Sequence, residues 1–75
     1  MGPEMVKEVL DLIKKIAKNS NITMIVVTHE MGFAKSVADV VIYMADGVIE
    51  EIGTPEEVFE RPKSEKAKTF LGIAQ

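Results

Sequence analysis

Cysteine is absent from this 75-residue sequence. That excludes disulfides, thiolate metal sites and a cysteine nucleophile, and it fits a reducing cytosol. Blocks of like charge are absent too, because the 12 acidic and 9 basic residues are interspersed and leave a net charge of −3. A nucleic-acid or anionic-membrane surface therefore finds no electrostatic support, and no nucleic-acid partner is expected. The longest apolar runs, such as Val40 to Ala45, fall far short of the ~20 residues that cross a bilayer, and the N-terminus lacks the basic-then-apolar plan of a signal peptide. These features predict a soluble chain.

Several catalytic signatures are missing as well. No G-x-x-x-x-G-K-[ST] loop cradles phosphates, and no apolar strand ends in an acidic pair that could hold magnesium. The serines lack a G-x-S-x-G elbow. The sequence has a single histidine, so His29-Glu30 cannot begin the H-E-x-x-H zinc motif, and no metal-binding residue is assigned.

What is present is an apolar chain, 47% hydrophobic, which is rich for one domain of this length. A core of this size is marginal, and the surplus apolar surface points to a partner. From Pro3 to about Lys18 the residues Val6, Val9, Leu10, Ile13, Ile16 and Ala17 fall on one helical face. Pro3 suits the first helical position and Asn19-Ser20-Asn21 ends the helix. Thr23 to Thr28 is apolar at consecutive positions, as in an inner strand of a parallel sheet covered on both faces. Glu30 to Val37 has helical spacing. Val40 to Ala45 and Val48 to Ile52 read as strands joined at Asp46-Gly47, either by that dipeptide alone or by a longer loop with Gly47 in a left-handed bulge. Thr54-Pro55-Glu56-Glu57 has the form of a capping box, and Pro62 separates the short helix it opens from a last one over about Ser64 to Leu71, with Ala67, Phe70 and Leu71 on one face. The order is helix, strand, helix, strand, strand, helix, helix, an α/β arrangement with a hairpin at 40–52.

His29 stands at the carboxyl end of the candidate parallel strand, beside the start of the next helix. Ligands of open α/β sheets collect at such ends, and an imidazole there can donate a hydrogen bond to a phosphate oxygen. Taken alone, a single histidine is more often structural or merely exposed. Glu30 beside it reads more simply as an acid favoured near a helix start than as a base. Glu50-Glu51 and Glu56-Glu57 read as solvated strand and helix faces rather than catalytic carboxylate pairs. Met24, Met31 and Met44 read as core fillers.

The stretch "VVTHEMGFAKSVADVVIYMADGVIEEIGTPEEVFERP" closely resembles the C-terminal end of the ATP-binding subunits of ABC transporters, in particular importers of polar amino acids. The resemblance runs over nearly the whole chain from Pro3 onward. It implies a partial P-loop NTPase-like fold, with residues 1–75 forming one partial domain and Met1-Gly2 either a natural start or a cloning scar. It also implies that His29 is the switch histidine, the catalytic and cofactor-binding residue that hydrogen-bonds the γ-phosphate of ATP. Pro3-Glu4 resembles the end of the family's "SALDPE" loop, but the upstream "SALD" is missing. The phosphate-binding loop, glutamine loop, "LSGGQ" signature and catalytic glutamate precede this point in the family.

In the parent, ATP and magnesium would be the cofactors. A second ATPase subunit and membrane permease subunits would be the partners, at the cytoplasmic face of the inner membrane. The fragment itself is expected to hydrolyse no ATP and to bind none tightly. An alternative reading is a non-catalytic folding or assembly module. A bare inner strand of this kind favours a homodimer or a domain-swapped assembly.

Overall fold

The computed structural model describes residues 2–72. Four helices and one hairpin follow in the order α1 (Pro3–Asn19), α2 (Met31–Val37), β1 (Val41–Ala45), β2 (Val48–Gly53), α3 (Pro55–Glu60) and α4 (Glu65–Leu71). Proline at the start of α1 has no N–H to leave unpaired, Glu4 faces the positive end of the helix dipole, and Lys18 lies in the last turn. Lys7 and Asp11, one turn apart, pair at 3.1 Å. None of the residues of α1 is buried, although the helix packs against α2.

The expected strand from Thr23 to Thr28 does not form. Residues 20–28 carry no regular secondary structure, and the sheet among the described residues has two strands only, β1 and β2. The reason is physical: a strand is held by ladder hydrogen bonds to a neighbour, and among the described residues no strand pairs with residues 22–27 to supply them. Their side chains are exposed, Ile25 at 91% and Val27 at 97%. The observed order is therefore helix, helix, strand, strand, helix, helix.

The hairpin forms one residue further on than expected, over 41–53 rather than 40–52. Ala45 pairs with Val48, so the loop is the dipeptide Asp46-Gly47. Both of its residues have positive φ, 53° at Asp46 and 78° at Gly47, the signature of a type I′ turn that matches the twist of the strands. This decides between the two loops left open by the sequence. The register shifts after Tyr43, which faces Glu51, while Met44 faces Ile49. Glu50 is the additional residue of a β-bulge.

The buried hydrophobic residues are Phe33, Val58 and Ala67, one each from α2, α3 and α4. They gather on the hairpin side that carries Val41, Tyr43 and Glu51, since α3 packs on both strands and on α2, and α4 packs on β2. The other hairpin side, with Ile42, Met44, Ile49 and Ile52, is exposed. Met24 and Met44 are likewise on the surface rather than in the core, because three buried apolar side chains leave no interior for them. Of the expected α4 face, Ala67 is buried and Leu71 half-buried, while Phe70 is exposed and stacks on Tyr43 with ring centroids 5.0 Å apart.

Two capping devices organise the C-terminal third. Thr54 Oγ1 accepts the N–H of Glu57 at 3.1 Å, and Glu57 Oε1 accepts the N–H of Thr54 at 2.8 Å, which completes the capping box read from the sequence. A Cβ on Gly53 would stand 2.7 Å from that Glu57 oxygen, so any larger residue there must displace the Glu57 side chain from its capping position. Ser64 caps α4 through its Oγ, which accepts the N–H of Ala67 at 2.9 Å, and Gly72 closes α4 in the left-handed conformation.

Candidate functional site

His29 lies in the link between the extended segment and α2. The hydroxyl oxygen of Thr28 accepts the N–H of Glu30 at 2.9 Å, bending the chain around His29. The carbonyl of Glu30 then accepts the N–H of Ala34 at 3.1 Å and begins α2. Glu30 is the N-cap residue and makes no side-chain capping bond. The His29 side chain is 94% exposed and its Nε2 is 4.0 Å from Glu30 Oε2. It stands exposed at a bend, with Glu30 the one acidic group recorded beside it among the described residues.

The other acids serve the fold. Glu57 belongs to the capping box, and hydrogen bonds from the Thr54 backbone and side chain hold its carboxyl below the ordinary glutamate range. Glu56 pairs with Arg61 at 3.3 Å. Glu60 pairs with Lys35, whose ammonium holds the Glu60 carboxyl low. Glu51 corrects the expectation of a solvated strand face: it is 9% exposed, and its Oε2 accepts the backbone N–H groups of Lys63, at 2.6 Å, and Ser64. The inward position of Glu51 opposite Tyr43 was a signal in the sequence only once the bulge at Glu50 is known.

The open depression between α1 and α2 is bordered by Lys7, Asp11, Lys14, Glu30 and Phe33, and His29 is not part of it. Among the described residues no group of three or more histidine, aspartate or glutamate side chains could hold a metal ion. The described residues do not fit a complete nucleotide site, because His29 supplies one donor and no phosphate cradle lies around it. No helix of the described residues is long and apolar enough to cross a membrane.

A histidine at the end of an apolar segment, followed by a short helix, an aspartate-glycine hairpin and a Thr-Pro-Glu-Glu cap, is the pattern through which the sequence resembles the ATP-binding subunits of ABC transporters. Comparison with known proteins agrees. The chain is 57% identical over 72 residues, 96% of its length, to a probable ABC transporter ATP-binding protein of Campylobacter jejuni. It is 59% identical over 71 residues to a probable amino-acid import ATP-binding protein of Bacillus subtilis, and 55% identical over 71 residues to an arginine transport ATP-binding protein of Corynebacterium glutamicum, each time over 95% of the chain. The chain spans 28–30% of the length of these relatives. No family model matches it. The chain is thus homologous to ABC transporter ATP-binding subunits, mostly those of amino-acid importers.

Proposed function

We propose that this chain is the C-terminal part of the ATP-hydrolysing subunit of an ABC importer for polar amino acids, and that His29 is its switch histidine. The observation that carries the reading is 51–59% identity over almost the entire chain to proteins whose names state ABC-transporter or amino-acid transport functions. The placement of His29 supports it. An imidazole that is 94% exposed at a bend is free to donate to a phosphate oxygen presented by other parts of a complete subunit. In that setting ATP and magnesium are the cofactors, a second ATPase subunit and membrane permease subunits are the partners, and the cytoplasmic face of the inner membrane is the location. The 75 residues form one partial domain of that subunit.

Phosphoryl transfer depends on positioning and on several converging charges, and a lone exposed histidine supplies neither. The chain by itself is therefore proposed to be inactive toward ATP and to bind it weakly at most. The test is an ATPase assay of the pure chain beside a complete subunit that includes this segment. The expected outcome is no turnover by the chain and a loss of about 10²-fold or more on His29→Ala in the complete subunit. Turnover by the pure chain that disappears on His29→Ala overturns the inactivity, and a fully active His29→Ala complete subunit overturns the role of His29.

A further inference from the structure

We propose that Thr28 is the positioning residue of His29: its hydroxyl fixes the bend from which the imidazole projects, and through that bend it governs ATP turnover without touching the nucleotide. The inference rests on His29 being the switch histidine. The imidazole has no side-chain support of its own, since it is 94% exposed and its Nε2 is 4.0 Å from Glu30 Oε2, beyond ordinary hydrogen-bond reach. Its direction is therefore set by the backbone of residues 28–30.

That backbone is anchored on its far side by α2, which buries Phe33 to 7% exposure and packs against α3. On the near side the half-buried Thr28 holds it, because the hydroxyl oxygen accepts the N–H of Glu30 at 2.9 Å and closes a turn with His29 at its middle. The bond joins residues two apart in sequence, so it needs no segment from outside this chain.

The starts of α2 and α3 show why a hydroxyl is needed here. At α3 the N–H of the N-cap residue Thr54 is accepted by Glu57, three residues on. The corresponding residue of α2, counted from its N-cap Glu30, is Phe33, which has no acceptor and is buried in the core. The Glu30 N–H must then find its acceptor before the helix, and Thr28 supplies it. Valine has nearly the shape of threonine and would continue the run Ile25-Val26-Val27, so what threonine adds at position 28 is the oxygen. Without that oxygen the peptide around His29 gains freedom and the ring points in several directions, and a misplacement of about 1 Å at a reacting group can cost on the order of 10²-fold in rate.

Steady-state ATP turnover by a complete subunit that includes this segment, combined with amide exchange at Glu30 in this chain, tests the role of Thr28. Thr28→Val should lower kcat by about tenfold or more and leave KM for ATP within about twofold. Thr28→Ser, which keeps the oxygen, should restore most of the rate. Thr28→Val combined with His29→Ala should be no slower than His29→Ala alone, because a residue that acts through the imidazole has nothing left to position. In this chain the Glu30 N–H should exchange faster in Thr28→Val than in the wild type and Thr28→Ser. Full turnover by Thr28→Val beside an impaired His29→Ala overturns the role of Thr28 and leaves that of His29 standing. A double variant that loses the product of the two single losses overturns it too, as does Glu30 exchange that ignores the hydroxyl. A fully active His29→Ala removes the switch-histidine reading itself and this inference with it.

Discussion

The carboxylate of Glu51, on the inward face of β2, accepts the backbone N–H of Ser64, the residue that caps α4, and also that of Lys63. One acidic side chain thereby ties the hairpin to the α3–α4 connection. Glu51→Ala would leave two backbone donors without their acceptor and should destabilise the chain by about 2–3 kcal/mol. Glu51→Gln keeps an acceptor oxygen and should cost less. Thermal unfolding of the three proteins by circular dichroism checks the order, and an unchanged melting temperature for Glu51→Ala would show that this link holds nothing.

The capping box at Thr54 should respond to two different substitutions in the same way. Thr54→Ala removes the acceptor for the Glu57 N–H and should cost about 1 kcal/mol. Gly53→Ala places a methyl 2.7 Å from Glu57 Oε1 and should push that carboxylate off the Thr54 N–H. If the two act on one device, the double variant should lose clearly less than the sum of the single losses in a double-mutant cycle. Strict additivity in denaturant unfolding would separate them.

Acid should weaken the same region. The Thr54 hydrogen bonds hold the Glu57 carboxyl below its ordinary value, and Lys35 does the same for Glu60. A carboxyl depressed in the folded state contributes stability that is fully present above the unfolded glutamate pKa of about 4.3 and is lost as pH falls through the lower folded value. Melting temperature should therefore hold near neutral pH and fall on acidification below that range. Glu57→Gln and Lys35→Met should flatten the fall, and an acid limb of the same slope in both variants would assign it to other groups.

At the hairpin, Gly47 has φ of 78°, a conformation that costs an L-residue about 1–2 kcal/mol. Gly47→Val should destabilise by about that amount or more, whereas Asp46→Asn should be tolerated, since asparagine accepts the left-handed region. Equal melting temperatures for wild type and Gly47→Val would mean that the turn relaxes to another geometry.

His29→Ala in this chain should leave stability unchanged within about 0.5 kcal/mol, as expected for an exposed position without structural contacts. Under the proposed function its effect falls on ATP turnover by a complete subunit, not on the stability of this chain. A large loss of stability in the isolated chain would reveal a packing role for the imidazole and remove the reason to read it as a free donor.

Local signals were legible where neighbours along the chain decide the outcome. The helix over 3–19, the presence of a turn at Asp46-Gly47 and the Thr54 box each depend on residues close along the chain, so residue type and spacing indicate them, whereas the choice of a two-residue type I′ turn over a longer loop came from the structure. The bulge at Glu50 and the burial of Glu51 were not legible, because they depend on which residue faces Tyr43 and on where residues 63 and 64 come to rest. The strand expected over 23–28 is the clearest difference. Its composition is that of a buried strand, yet a strand requires a partner, and sequence composition cannot create one.

The sequence by itself thus determined the helices, the hairpin, their caps and the position of His29 at the end of an apolar segment, since all of these rest on short-range geometry and hydrogen bonding. Tertiary structure alone decided that Glu51 is a buried tie, that the core among the described residues gathers Phe33, Val58 and Ala67, and that residues 22–27 are exposed. Those outcomes depend on which surfaces meet across the chain, which residue type and spacing along the sequence do not fix.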